Sequence, residues 1–338
     1  MKMKLRKMIV IAVGLGAASA ALSQSGSDPG KISGTVFGDI YYVGGHHDNS
    51  IEGMNGFWFR RIYLTYDRTI DENLMLRLRF EAASPGDFSS SSKMTPFFKD
   101  AYLKFTENDM TYYLGLHVTP TWSTLENAFG YRPIEKTPLD LFKLGSSRDQ
   151  GVSVQGKLGS ATKYTLMIGN GSGTGGETDA GKTIYLSLDH KVSDSVSVMV
   201  YRDFWDKPGH TDRETTQVFL AYKKGGFRAG LLWADQRRQV SGGGNFTVSL
   251  WSLYADVRVS DRSKLFVRVD KLNAPVPGAE NISYLSLSPD AIPTLYIVGL
   301  DMEVRENVRF IPNIEFVTYD GSGVADNVFV RMTFSVKF

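Results

Sequence analysis

The residues best placed to act on other molecules are charged ones that share one face of an extended chain. In the run Leu74-Met75-Leu76-Arg77-Leu78-Arg79-Phe80-Glu81, apolar residues alternate with Arg77, Arg79 and Glu81. A helix would scatter these charges around its circumference, whereas a strand, with its period of two, sets them side by side. Arg61 and Lys104 take the same phase in neighbouring runs, so basic side chains gather on adjacent elements. Carboxylates of opposite sign, Glu126, Glu135 and Asp140, lie with Arg132 in the segment 119–150. Fixed charges of both signs facing each other across water do no covalent chemistry. They set up a field that orients and sorts polar solutes.

Covalent chemistry finds less support. Of the histidines His46, His47, His117, His190 and His210, only His46 and His47 adjoin, beside Asp48. Such a pair has ligand chemistry, but in a polar loop it is more often simply solvated. No Gly-x-Ser-x-Gly occurs, and the glycines of 171–176 precede no helix and lack a phosphate-loop lysine. With no cysteine there is neither a thiolate metal site nor a disulfide framework. No cofactor or metal is implied. The net charge of +2 gives no reason to expect a nucleic-acid partner.

The elements that must hold these charges read as strands almost throughout. In the last stretch, Val328, Val330, Met332, Phe334, Val336 and Phe338 share one face, and Phe329, Arg331, Thr333, Ser335 and Lys337 the other. A strand this long exceeds the usual soluble length of about 5–6 residues and suits a membrane crossing of roughly 9–11 tilted residues. Sixteen such strands are expected between 31 and 338, joined alternately by seven tight turns and eight longer loops. Segregated loop lengths and an even strand number are the pattern of bacterial outer-membrane barrels. In hydrocarbon every backbone polar group must pair internally, so the sheet closes. At sixteen strands a wet lumen remains. The predicted fold is therefore all-β, a transmembrane antiparallel barrel. Its third long loop, 119–150, is broken by Pro120, Pro133 and Pro138 and is expected to fold into the lumen. The inward face is expected to be polar, with Lys157, Lys163, Arg228, Arg268, Arg309 and Arg331 joining Arg61, Arg77, Arg79 and Lys104, and nearly balanced by Glu81 with Asp39, Asp67, Asp100, Asp189, Asp256, Asp270, Asp301, Glu303 and Glu315. Tyr41, Tyr42, Trp58, Tyr112, Tyr113, Trp205, Trp233, Tyr254 and Tyr319, near strand ends, fit interfacial girdles.

The chain opens with Lys2, Lys4, Arg6 and Lys7, then an apolar run from Met8 to Ala18 and small residues to Ser23. This is a signal-peptide pattern, giving a leader at 1–23 and a barrel domain at 24–338. No other apolar run is long enough for a transmembrane helix.

These features together resemble a Gram-negative porin. The stretch Gly145-Ser146-Ser147-Arg148-Asp149-Gln150-Gly151-Val152, entering a strand after the long loop, is similar to the Arg-Asp-x-Gly-Val segment of phosphate-selective porins O and P. The architectural resemblance covers the whole mature chain and the motif about a dozen residues. It implies a homotrimer whose third loop narrows the pore. It implies location in the outer membrane, in contact with lipid and lipopolysaccharide, and passage of small hydrophilic solutes or inorganic anions, including phosphate. A terminal Phe338 resembles the residue that the barrel assembly machinery reads. Arg61, Arg77, Arg79 and Lys104 on the wall, with Glu126, Arg132, Glu135 and Asp140 on the loop, are the expected pore-lining and constriction residues, and the wall arginines suggest mild anion preference. The rival expectations are a barrel with lipase- or protease-like activity and a structural or adhesive barrel with a closed lumen.

Overall fold

The structure, a computed structural model, describes residues 29–321 and 323–338, so the expected leader at 1–23 lies outside the described residues. Sixteen antiparallel strands are found among the described residues, and they close into one barrel. The first five are β1 (Lys31–Gly45), β2 (Asn55–Thr69), β3 (Leu74–Ala82), β4 (Phe97–Glu107) and β5 (Met110–Val118). After the third long loop come β6 (Arg148–Leu158), β7 (Thr162–Gly169), β8 (Thr183–Lys191), β9 (Val196–Trp205), β10 (Arg213–Lys224) and β11 (Phe227–Gln239). The rest are β12 (Asn245–Ser260), β13 (Ser263–Leu272), β14 (Ile292–Arg305), β15 (Val308–Asp320) and β16 (Asn327–Lys337). Every strand pairs with its sequence neighbours, and β16 returns to β1 with Gly38 opposite Phe334. Phe338 completes that seam: its N–H donates to the Gly34 carbonyl at 3.1 Å and its carbonyl accepts the Gly34 N–H at 2.8 Å.

Seven connections of two to four residues alternate with eight longer ones, as the sequence predicts. The faces of β16 also divide as expected: Phe329, Arg331, Thr333 and Ser335 are buried inside, while Val330 remains 44% exposed on the outer surface. Leu186, Leu220, Leu253, Val267 and Ile314 extend the exposed apolar outer surface on other strands. An apolar outside with every strand edge paired is what a hydrocarbon environment demands.

The lumen departs from expectation. From β7 to β15 its wall carries Met167, Tyr185, Met199, Phe219, Leu232, Leu250, Phe266 and Ile311, all buried. They form one apolar cluster with Trp122, Leu125, Phe129, Leu139, Leu141 and Phe142 of the third loop. The inner surface is thus half apolar core and half charged wall, because the inserted loop needs a dry face to pack on. Several expected girdle residues belong to this interior too, among them Tyr113, stacked on the buried His117, and Tyr319, bonded by Asn327. Tyr254 and Trp58 are buried, and Tyr41 stacks on Trp58 with ring centroids 3.9 Å apart.

Candidate functional site: the inserted loop and the charged wall

The segment 119–147 contains two helices that a search for a period of two passes over, α1 (Pro120–Phe129) and α2 (Pro138–Leu141). Pro120 stands at the first helical position, where its missing N–H costs nothing and its fixed φ suits the helix. Gly130 ends α1 with φ of 71°, a left-handed conformation that favours glycine, and its N–H bonds back to the Glu126 carbonyl at 2.9 Å. Trp122, Leu125 and Phe129, three and four residues apart, form the stripe that packs on the apolar wall. Ser123, Glu126 and Asn127 occupy the opposite face and border a cavity of about 170 Å³ beneath the loop.

The last turn of α1 and the non-helical part of the loop leave carbonyls with no partners of their own, and wall side chains supply them. Tyr254 donates to the Ala128 carbonyl at 2.9 Å, Arg268 Nη1 to that of Lys136 at 2.6 Å, and Arg238 to that of Lys143 at 3.1 Å. Gln236 bonds the Leu144 carbonyl, and Gln217 bonds Thr121 at 2.8 Å. On the other side Arg60 bonds both the Ile134 carbonyl and the Glu135 carboxylate. Arg331 reaches Glu135 at 3.4 Å and Glu315 at 2.6 Å. Glu135 is 3% exposed. It therefore anchors the loop to the wall, a correction to its expected place at the constriction. Burial pushes the Glu135 carboxyl up, but Arg60 and Arg331 outweigh this and hold it below the usual carboxylate range.

The charges that do face one another lie on β2 to β4 and on the loop edge. Two bulges build the wall side. In β2, Phe37 pairs with Arg61 and Gly38 with Phe59, leaving Arg60 as the extra residue; Arg60 and Arg61 are both buried. In β3–β4, Arg79 pairs with Asp100 and Phe80 with Phe98, which leaves Lys99 over. A bulge lets two consecutive side chains share a face that strict alternation would separate. The resulting row is tightly paired: Arg61–Glu81 at 2.7 Å, Lys99–Glu81 at 3.1 Å, Arg79–Asp100 at 3.1 Å and Arg148–Asp100 at 2.5 Å. Opposite lie Asp140, Lys136, Arg132 and Glu126, loosely paired at 3.9 Å (Lys136–Asp140) and 3.6 Å (Arg132–Glu126). Burial would raise the Asp140 carboxyl, yet Lys136 and Arg132 of the loop and Lys99 and Arg61 of the wall together hold it low. One carboxylate thus feels cations from both sides.

The structure brings Arg61, Arg79, Glu126, Arg132 and Asp140 together here. Arg77 lies one inward position nearer the turn, bound by both oxygens of Asp67 at 2.7 Å each. Lys104 is farther still, opposite Met75, and stands apart from the loop. Lys99, Lys136 and Arg148 complete the constellation. Lys99 was hidden from sequence reasoning by the bulge, while Lys136 and Arg148 lay among loop charges whose direction the sequence does not give.

A second inward loop closes the other side. Residues 273–291, between β13 and β14, cross to the far wall, where the Tyr284 N–H meets the Gly86 carbonyl at 2.6 Å. The Tyr284 ring stands edge-on to Trp58 with centroids 4.9 Å apart. The histidine pair serves this loop. His46 Nε2 bonds the Ser286 carbonyl at 3.2 Å, its Nδ1 accepts the Asp48 N–H at 3.0 Å, and His47 contacts Asn327 at 3.0 Å. Among the described residues no group of three His, Asp or Glu side chains could hold a metal ion. A neutral His46 ring with its proton on Nε2 makes both bonds, while Nδ1 also lies 3.3 Å from the Asp48 carbonyl. Burial, then His47, lowers its pKa to about 4 against the opposing effects of Ser286 and Asp48. A freed histidine titrates near 6.5, so the open loop binds the proton more readily between those values. The latch is intact above about pH 6.5 and weakens as pH falls toward 4. Hydrogen exchange at 284–287, corrected for intrinsic pH dependence, is expected to accelerate between pH 7 and pH 5. Unchanged protection across that interval would remove His46 from the latch.

Solved porins share this closed sixteen-strand antiparallel barrel. An anion-selective porin from Comamonas acidovorans aligns with a TM-score of 0.68 at 13% identity, over 91% of this chain and 99% of that one. OmpT, an outer membrane protein of Vibrio cholerae, gives 0.64 at 11% identity, over 91% and 97%. A mutant of the Rh. blastica porin gives 0.60 at 16% identity, over 91% and 100%. At these identities the likeness is one of fold. No protein-family model matches the sequence, and no curated protein matches it.

Proposed function

We propose that this chain is a passive channel of a Gram-negative outer membrane, exported by the leader at 1–23 and working as a homotrimer, that lets small hydrophilic solutes through and prefers anions. The observation that carries the proposal is the row of charges between the wall and the loop edge. Around it stand the cations Arg61, Arg79, Lys99, Arg132, Lys136 and Arg148 and the carboxylates Glu81, Asp100, Glu126 and Asp140, six against four, or a net +2. Width and lining charge set selectivity in a pore, so an excess of cations at the narrow point favours anions. The fold shared with an anion-selective porin, and with an OmpT solved in a trimer form, supports both parts.

Purified protein reconstituted in a planar bilayer is expected to give stepwise openings. In a salt gradient its reversal potential is expected on the anion side, with chloride and phosphate compared directly. A folded barrel that stays silent would reject the channel in favour of a structural role, and hydrolysis of lipid or peptide would favour the enzyme.

A further inference from the structure

Beneath α1 the lumen widens into a trough. Two adjoining cavities of about 530 and about 170 Å³ share Arg79, Glu126 and Asn127, and so form one space between the polar face of α1 and the wall of β1 to β6, β15 and β16, where Arg309 and Lys337 also border it. Its lining has two features that a plain aqueous passage does not require.

The first is Arg132. Its neighbours Arg61, Arg77, Arg79 and Arg148 are all held by carboxylates at 3.1 Å or less. The Arg132 guanidinium makes no hydrogen bond among the described residues. Its one ion pair, to Glu126, is 3.6 Å long, and its side chain keeps 18% exposure beside the larger cavity. A guanidinium offers five donors in a plane and matches a carboxylate two at a time.

The second is a row of rings between guanidiniums. Arg132 lies over Phe37 at 5.7 Å, the Phe37 and Tyr63 centroids are 6.1 Å apart, and Arg79 lies over Tyr63 at 5.7 Å. Farther along, Arg77 lies over Tyr102 at 5.9 Å. Tyr63 and Tyr102 are only half-buried, and their hydroxyls make no hydrogen bond among the described residues. They add flat, polarisable surface to the trough. Simple ions gain nothing from it, whereas a flat anionic solute uses ring and guanidinium together.

We infer that this trough is a binding subsite for small arenecarboxylates, with the carboxylate on Arg132 and the ring against Tyr63. The inference rests on the channel reading and gives it a solute class. Inorganic phosphate lacks the ring, and saturated carboxylates lack its flat π surface.

The test uses benzoate and cyclohexanecarboxylate, alike in charge and close in size, as blockers of chloride current through single channels. Benzoate is expected to block at about three- to tenfold lower concentration, the range that ring pairing supplies. Tyr63→Leu is expected to erase that difference, Tyr63→Phe to restore it, and Arg132→Gln to weaken both blockers. Equal block by the two acids, a difference that survives Tyr63→Leu, or phosphate matching benzoate would each overturn the subsite. Should the folded barrel pass no current, the channel reading fails. Saturation-transfer NMR of detergent-folded protein with the same two acids would then decide the subsite alone, with equal transfer overturning it.

Discussion

Replacing Arg60 by methionine is expected to free the third loop from the wall at a cost of about 3–5 kcal/mol, the usual penalty for removing one partner from a buried ion pair. Arg60 lies within 3.6 Å of Asp39 and 3.9 Å of Glu315 and bonds both Glu135 and the Ile134 carbonyl. Without it, Glu135 and Glu315 keep only Arg331, Asp39 loses its ion pair, and the Ile134 carbonyl loses its donor. Methionine keeps the length and apolar stem of the side chain, so the loss isolates the charge. The barrel should hold, because its closure rests on a continuous ladder of strand pairs that Arg60 does not supply. The effect therefore belongs in the loop. The Ile134 and Glu135 amides, now bonded to the Tyr131 carbonyl at 2.9 and 3.2 Å, should exchange faster, and open-channel current should become noisier. If strand amides exchanged faster to the same degree, or the loop amides did not change, Arg60 would not be the anchor.

The barrel was legible because it follows from a local pattern. Alternation in 74–81 and 327–338, with turns such as Gly225-Gly226, fixes strands, faces and neighbours without distant information. The bulges at Arg60 and Lys99 were not legible, since an added residue leaves no mark on composition or alternation. The apolar half of the lumen was hidden for a related reason. On β10, Phe219 faces the core and Leu220 the outside, and with both faces apolar, alternation cannot say which is which. The signals for α1 were present in Pro120, in the spacing of Trp122, Leu125 and Phe129, and in Gly130. They span under three turns between prolines, too short a run to stand out from an irregular loop. Glu135 and Arg60 are 75 positions apart, and nothing local joins them. The same holds for Tyr284 and Gly86, so the reach of the 273–291 loop could come only from coordinates.

These differences redirect the selectivity experiment. From sequence, Arg77 and Arg79 are the natural cations to neutralise; under the proposed channel reading the better targets are Lys99 and Arg132, which act on Asp140 from the wall and from the loop. Two unit charges roughly 6 Å from a passing ion are worth about 1.4 kcal/mol in water, and a Debye length of ~10 Å at 0.1 M roughly halves this. The anion loses this stabilisation and the cation is relieved of an equal repulsion, so the double variant Lys99→Gln, Arg132→Gln is expected to lower the anion-to-cation permeability ratio by about tenfold at 0.1 M salt. Near 1 M, where the Debye length is about 3 Å, the difference should largely vanish. Arg77→Gln is the control. Arg77 precedes Glu81 by four residues on one strand, about 13 Å at ~3.3 Å per residue, and this exceeds the Debye length at 0.1 M. Arg79 and Asp100 lie nearer, about 7 Å along the strand, so its neutralisation should shift the reversal potential in the same direction but much less than the double variant does, even though Asp67 loses its partner. A double variant with wild-type reversal potential, or an Arg77→Gln shift as large as the double variant's, would place the selective step elsewhere than between β3–β4 and the inserted loop.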